Sequence, residues 1–189
     1  WLMLTDEGYG YLPITEVDLA TLGTFSCGKP RLDDFLSAQA LALHKARLGF
    51  TNVVFHQQFE GPVGYFTLAN DAIKLNDSEK FELGFGEQVE LAAFPAVKIG
   101  RLAVHQDLHR KGVGVVLMTL LLGDILNTAG LSAARLIVVD ADNDDAVLRF
   151  YEKLGFETSL WAEEMARNHT KKRAKPQTIK MHRDVFKGL

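Results

Sequence analysis

The stretch His105–Met118, HQDLHRKGVGVVLM, decides how the chain is read. It sets two glycines, Gly112 and Gly114, and two bases, Arg110 and Lys111, directly before an apolar run. A helix N-terminus has free backbone N–H groups and a partial positive charge. Removing two Cβ atoms from the turn before it lets those amides converge on an anion, and the bases add formal charge. The same residues also suit an ordinary tight turn that holds no ligand. A P-loop does not fit, because no Gly-Lys-Ser/Thr stands at the required spacing. A dinucleotide fingerprint does not fit either, since Leu117 holds its third glycine position. On this segment alone the anion cradle and the plain turn stay equally open.

Around it the chain alternates between strand and helix patterns. Ala96–Val104 (AVKIGRLAV) reads as a buried strand ending just before the turn, and Val113–Asn127 as the helix after it, stopping near Gly130. Upstream, Tyr11–Ile14 reads as a short strand and Lys29–Leu48 as a helix, with Pro30 at a first helical position and Gly49 past its end. Leu32, Phe35, Leu36, Gln39, Ala40 and Leu43 form its expected buried face. Phe50–Gln57 and Val63–Asn70 form a hairpin about Glu60-Gly61-Pro62. Asp71–Phe94, with six acidic and two basic residues, reads as a loop with one short helix, and its role stays open. Downstream come a strand at Ala134–Asp140, a helix at Asp142–Leu154 capped by Asp142 or Asn143, and Gly155 as its stop. Strands at Phe156–Trp161 and Gln177–His182 follow. The expectation is an α/β fold with a mixed sheet.

The totals fit one globular domain spanning residues 1–189, with a net charge of −3 that marks no general nucleic-acid binder. A basic cluster from Arg167 to Arg183 holds seven Lys or Arg and no carboxylate, and Lys29, Arg31, Lys45 and Arg47 add to the basic side of the first helix. Such clusters are usually solvated faces, and phosphate contact is the alternative. The single cysteine, Cys27, makes no internal disulfide, fits a reducing cytoplasm and reads as a small semi-buried side chain rather than a nucleophile. The opening WLMLTDEGYGYLP lacks the pattern of a signal peptide, and Met3 is the expected native start. The longest apolar run, Val113–Leu122, is shorter than the roughly 20 residues of a membrane span. The expectation is a cytoplasmic protein without a membrane partner.

Three motifs in order then resemble the GNAT acetyltransferases. HRKGVG is similar to the family's acyl-CoA loop, although its first position is His109 rather than Gln or Arg. GRLAV, Gly100–Val104, resembles the acyl-CoA strand, and NDDAVLRFYEKLGF, Asn143–Phe156, the later helix with its closing turn. The resemblance covers about Thr51 to Leu160. It implies a mixed, mostly antiparallel central sheet flanked by helices. It implies acetyl-CoA as donor, with backbone groups of Leu102, Ala103 and Val104 along the pantetheine arm. His109, Arg110, Lys111, Gly112, Val113, Gly114 and Val115 would hold the pyrophosphate, and Asn143 would reach the arm. Tyr151 would be the general acid. FSCGKPRLDDFLSAQALALHKARLGFTNVVF, Phe25–Phe55, with its Phe-x-Cys-Gly turn and its Leu32–Leu36 helix motif, and FPAVKIGRLAV, Phe94–Val104, resemble the toxin branch of this family. That branch acetylates the α-amino group of aminoacyl-tRNA, pairs with a ribbon-helix-helix antitoxin and is often a homodimer. The chain after Trp161 departs from that pattern.

Acetyl transfer from a thioester needs a neutral amine, donors for the oxyanion and a proton for the thiolate. Tyr151 can supply that proton, or can be a tyrosine packed at a helix end with a wetted hydroxyl. No spacing selects a general base among Glu90, Asp140 and His105. An α-amino group, with a pKa of about 8 against about 10.4 for lysine, needs one least. His105 and His109 lie four apart without a third ligand, so no metal is expected. The alternatives are a GNAT enzyme for a protein N-terminus, polyamine or small amine, and a non-catalytic acyl-CoA-binding module.

Overall fold

The computed structural model describes residues 5, 7–127, 133–169 and 175–188 of the 189-residue chain. The expected helix stop at Gly130, the Met3 start, and Lys171, Lys172 and Arg173 of the basic cluster lie outside the described residues. In chain order the elements are β1 (Tyr9–Pro13), α1 (Leu19–Leu22), α2 (Pro30–Asp34), α3 (Ala40–Lys45), β2 (Phe50–His56) and β3 (Gly64–Ile73). They continue with α4 (Asp77–Glu82), β4 (Phe94–Val104), α5 (Val113–Asn127), β5 (Leu136–Asp142), α6 (Asp145–Lys153), β6 (Glu157–Thr158), α7 (Leu160–His169) and β7 (Thr178–Asp184). The strands form one seven-stranded sheet ordered β1-β2-β3-β4-β5-β7-β6. The β1–β2, β2–β3, β5–β7 and β6–β7 ladders are antiparallel, so the sheet is the mostly antiparallel one the resemblance implies. The chain divides into two compact units, residues 1–69 with 99–125 and residues 70–98 with 126–189.

In the first unit, β2 and β3 make the expected hairpin, with Phe50 opposite Leu68 and Val54 opposite Gly64. Gly64 is dictated by space, since a Cβ there would lie 2.6 Å from both the Ala103 carbonyl oxygen and a Leu117 methyl. The core gathers Ile14, Leu22, Phe25, Leu32, Phe35, Leu36, Ala40, Val53, Tyr65 and Ala103. Pro30 opens the first long helix as expected, but Phe35–Gln39 is a π-turn between α2 and α3. The wide turn carries one extra residue and moves the following positions round the axis. Gln39, expected on the buried face, is therefore exposed, while Ala40 is fully buried. α5 has the bounds its pattern predicts. Its Asp124 accepts hydrogen bonds from Tyr11 Oη (3.1 Å) and Asn52 Nδ2 (3.3 Å), fastening the helix to β1 and β2.

In the second unit, Ile73, Leu75, Phe94, Ala96, Leu136 and Val138 form the core. The acidic stretch contains the single short helix expected of it, α4, closed at its start by a capping box between Asn76 and Glu79. The residues after α4 are more than a loop, because Leu83, Phe85 and Val89 pack on that core. Two expectations are corrected. The strand from Phe156 to Trp161 shrinks to Glu157–Thr158, and the ten-residue α7 follows at once. The helix expected from Asp142 begins at Asp145, and its cap is Asp144, whose Oδ1 accepts from the Ala146 (2.9 Å) and Val147 (3.2 Å) amides. Asp142 is kept in β5 by its pairing with Thr178 of β7.

Candidate active site

The glycine turn begins where β4 ends. His105 starts a short 3₁₀ turn, Gln106–Leu108, and its Nδ1 accepts the Asp107 amide at 3.3 Å. The backbone then takes positive φ at Arg110 (62°) and Gly112 (83°). Nothing lies within 4 Å of a Cβ built on Gly112, so this glycine serves the left-handed turn and leaves the helix entrance uncovered. The Val115 and Val116 amides bond to the Gly112 carbonyl. Those of Gly112, Val113 and Gly114 have no acceptor among the described residues. Three donors without acceptors among the described residues stand at the positive end of α5, as at the start of any helix, so both the anion cradle and the plain turn fit them. The exposed side chains of Arg110 and Lys111 have no ion-pair partner among the described residues. The Val113 side chain is buried and anchors the helix start, whereas Val115 is half exposed. Ala103 is buried, and Leu102 and Val104 are half-buried beside it on β4.

His109, the position that departs from the family pattern, acts as a brace. Its Nε2 donates to the Val104 carbonyl at 3.0 Å and ties the turn to the end of β4. A second tie comes from the Phe25–Gly28 turn. Asp33 accepts from the Cys27 amide (2.8 Å) and Ser26 Oγ (3.1 Å), and the Ser26 carbonyl accepts from the Gln106 amide (2.8 Å). Burial alone would raise the Asp33 carboxyl, but hydrogen bonds from the Cys27 thiol, the Cys27 amide and Ser26 hold it below its usual value. Burial, reinforced by Asp33, pushes the Cys27 thiol up to about 11, which keeps it protonated and unreactive. Asp33 sits inside the Leu32–Leu36 motif, but nothing in the spacing marked it as the anchor of this turn.

Of the three bases weighed, Glu90 is exposed on the acidic stretch. His105 is enclosed by the Phe25 and Phe59 rings at 5.9 and 5.1 Å. Asp140 lies between Lys98 Nζ (2.5 Å) and Lys180 Nζ (3.2 Å). Burial opposes its charge, yet the two ammonium groups hold its carboxyl below the ordinary range, which makes it a weak base. No group of three or more His, Cys, Asp or Glu side chains suited to a metal comes together among the described residues. No helix among them is long and apolar enough to cross a membrane.

Tyr151 and Asn143 belong to the second unit. Asn143 does not cap α6. Its Nδ2 donates to the Pro176 carbonyl (2.8 Å) and its amide to the Gln177 carbonyl (2.9 Å), tying β5 to the chain entering β7. Tyr151 stands in the last turn of α6, two residues before its end at Lys153. There Phe156 N–H bonds to the Tyr151 carbonyl (3.0 Å) and Gly155 N–H, at φ 81°, to the Glu152 carbonyl (2.9 Å). This paired closure needs glycine and fixes the tyrosine's place on the helix. The ring is 6% exposed, edge-on to Phe150 and Phe156 at 5.2 and 5.3 Å. Its hydroxyl has no hydrogen-bond partner among the described residues. Burial, with Asp142 nearby, raises the phenol well above its ordinary pKa, so it is protonated at neutral pH.

A mostly antiparallel seven-stranded sheet of this kind, flanked by helices, fits a GNAT-type acyltransferase. The family model of the acetyltransferase (GNAT) domain matches residues 54–158, and the chain belongs to that family. A tRNA-acetylating toxin of Mycobacterium tuberculosis (strain ATCC 25618 / H37Rv) is 29% identical over 147 residues, 77% of this chain and 82% of that protein. Among solved structures, AtaT complexed with acetyl-methionyl-tRNAfMet matches with a TM-score of 0.71 at 18% identity, covering 94% of this chain and 95% of that one. A mutant AtaT toxin bound to the C-terminus of the antitoxin AtaR and acetyl-CoA matches with a TM-score of 0.65 at 16% identity, covering 94% of each chain. At these identities the two structures show a shared fold.

Proposed function

We propose that this protein transfers the acetyl group of acetyl-CoA to the α-amino group of aminoacyl-tRNA and thereby stops translation. The observation that carries the donor half is the set of free amides at Gly112, Val113 and Gly114, flanked by Arg110 and Lys111. They suit a pyrophosphate, with Val115 on the exposed side of the same turn. Leu102, Ala103 and Val104 line the pantetheine arm through their backbone, and Asn143 is the further residue that the GNAT resemblance assigns to that arm. With the Val104 carbonyl already held by His109, the Val104 amide is the group that polarises the thioester. The amine attacks the thioester carbon, the C–N bond forms and the C–S bond breaks. The departing thiolate takes the Tyr151 proton, and the proton lost from the new amide's nitrogen returns to the phenol through solvent.

The acceptor half rests on the relatives. The 29%-identical protein is a tRNA-acetylating toxin, and AtaT is solved with an acetylated methionyl-tRNA. The weak basicity of Asp140 supports an acceptor that loses its proton unaided, which favours an α-amine over lysine. The toxin reading brings with it a ribbon-helix-helix antitoxin, a homodimer and a place in the cytoplasm with the charged tRNA. The test is mass spectrometry of total charged tRNA after incubation with isotopically labelled acetyl-CoA. Label on the α-amino group of one or more aminoacyl-tRNAs is expected. Turnover of a peptide, polyamine or small amine with unlabelled tRNA would refute it.

A further inference from the structure

The first turn of α7 is held from another helix, and the group that holds it stands beside a buried histidine. Glu79 of α4, 3% exposed, accepts the Leu160 amide on Oε1 (2.8 Å) and the Trp161 amide on Oε2 (3.2 Å). Asn76 Nδ2 adds a tie from the same end of α4 to Glu164 Oε1 (3.1 Å), and Lys74 Nζ lies over the Trp161 ring, 5.2 Å from its centre. His182 Nδ1 lies 3.9 Å from Glu79 Oε1, too far for a hydrogen bond, and this buried nitrogen has no partner among the described residues. A cavity of about 320 Å³, lined in part by His182, Glu79, Glu82 and Glu157, leaves room beside the pair.

The charges around the ring come from several elements. Glu79 and Glu82 face it from α4, Glu157 from β6 and Lys187 from the chain after β7, and the last two pair with each other. Two residues away on either side of His182, Lys180 pairs with Asp140 (3.2 Å) and Asp184 with Arg135 (2.7 Å). Arg183, on the opposite face of β7, donates from Nη2 to the Lys187 carbonyl. Burial outweighs the pull of the three glutamates and holds the His182 pKa below its ordinary value, so the ring is neutral at pH 7. An imidazolium carries N–H on both nitrogens, so protonation makes Nδ1 a buried, charged donor that needs an acceptor. His182 cannot move to find one, because its backbone pairs with Val138 on one side and Glu157 on the other. Glu79 sits on a six-residue helix, and a shift of about 1 Å brings its Oε1 into bonding range.

We propose that His182 and Glu79 form an acid-operated latch on the start of α7. At neutral pH the Glu79 carboxylate caps the helix. When His182 takes a proton from solvent, its Nδ1–H draws that carboxylate across, and the Leu160 and Trp161 amides lose their acceptor. The Trp161 bond, at 3.2 Å the longer of the two, yields first. The closed state keeps the ring neutral and the open state holds the proton, so falling pH favours the open state. The latch lies within the second unit and does not depend on the reaction proposed above.

Trp161 itself can report the opening. The chain has two tryptophans, so Trp1→Phe leaves only the one on α7, and this background carries the test. Acrylamide quenching of its fluorescence is followed from pH 8 to pH 5. Hydrogen exchange of peptides spanning Leu160 and Trp161, corrected for the intrinsic effect of pH on exchange, is measured beside it. The two states differ by one proton, so each pH unit over which only the open state is protonated shifts their ratio about tenfold. Exchange at Leu160 and Trp161 should therefore rise about tenfold between pH 7 and pH 5, with quenching rising in step, while β5 peptides keep their protection. His182→Leu, with nothing to titrate, should stay closed to pH 5. Glu79→Gln should be open already at pH 8 and show no step, and it decides the matter if the leucine variant fails to fold. The proposal is overturned if the start of α7 stays closed at pH 5, or if β5 loses protection together with it. It is equally overturned if either variant keeps the step and its midpoint.

Discussion

Glu79→Gln should loosen one helix whose start lies far along the chain. The Glu79 carboxylate accepts Asn76 N–H (2.8 Å) and Trp161 N–H (3.2 Å) on Oε2, and Leu160 N–H (2.8 Å) on Oε1. Glutamine keeps one acceptor oxygen and turns an NH2 towards the remaining amide, so one or two charge-assisted bonds are lost. The negative charge at the head of α7 is lost with them. Hydrogen bonds to charged groups contribute about 1.5–3 kcal/mol each, and water can reach part of the exposed flank of α7, so a loss of about 2–3 kcal/mol is expected. For a chain of this size that corresponds to a fall in Tm of about 4–12 °C. Glu79→Ala, which orphans three amides, should cost about 3–5 kcal/mol. The assay is thermal unfolding followed by circular dichroism, combined with hydrogen exchange of peptides spanning Leu160 and Trp161. Exchange there should accelerate in Glu79→Gln while peptides from α5 keep wild-type protection. A Tm within about 1 °C of wild type, with unchanged protection at the start of α7, would refute the assignment of Glu79 as that helix's cap.

Tyr151→Phe should lower kcat by about 10²–10⁴ while leaving acetyl-CoA binding and Tm near wild type, because the hydroxyl that is removed makes no hydrogen bond within the described protein. Stopped-flow turnover and calorimetric titration with acetyl-CoA separate the two, and a variant with wild-type kcat would remove Tyr151 as the acid. Gly112→Ala places a Cβ at φ 83°, where the surroundings have room but the backbone does not. A cost of about 1 kcal/mol or more at the turn is expected, with weaker acetyl-CoA binding and little change in kcat at saturation. His182, 5% exposed, has its pKa lowered mainly by burial, against the opposing pull of Glu79, Glu157 and Glu82. A folded-state pKa below the unfolded value of about 6.5 means the neutral ring stabilises the fold above that pH, and the contribution is lost as pH falls through the folded value. The Tm of the wild type should drop between pH 7 and pH 5 more steeply than that of His182→Asn, and equal slopes would count against the assignment.

The parts of the fold legible in the sequence are those set by neighbours in the chain. α5 runs over the residues its apolar run indicates, the β2–β3 hairpin turns where Gly61 and Pro62 stand, and Gly155 ends α6 because its φ of 81° requires glycine. The parts that were not legible depend on distant partners. α7 has its cap on α4, in the acidic stretch that carried no clean period, so no local signal announced a helix after Ser159. The end of β5 moves from Asp140 to Asp142 because β7 pairs with it as far as Thr178. Gln39 was placed on the buried face by counting 3.6 residues per turn, and the π-turn breaks that count. In the candidate site the same division holds. The glycine turn and Tyr151 come from contiguous motifs, whereas Asp33 holding the Cys27 turn, and Lys98 and Lys180 around Asp140, meet only through folding.

Tyr151 poses a question about what burial does to an acid. An ordinary phenol at about 10 already lies about 1.5 units above a thiol at about 8.5, so handing its proton to a free thiolate is uphill by about 2 kcal/mol. Burial raises the phenol further, which read alone would make Tyr151 a poorer acid. In the reaction proposed above the thiolate would form beside this phenol, and the desolvation that raises the tyrosine would also disfavour a second bare anion there. Both pKa values therefore rise together and the gap between them narrows. A hydroxyl left without a partner among the described residues can then bond the sulfur before the proton moves, with no other hydrogen bond to break. That accounts for a tyrosine buried to this degree among phenylalanine rings, where a solvent-exposed one would hold its proton at a lower pKa but face a hydrated thiolate.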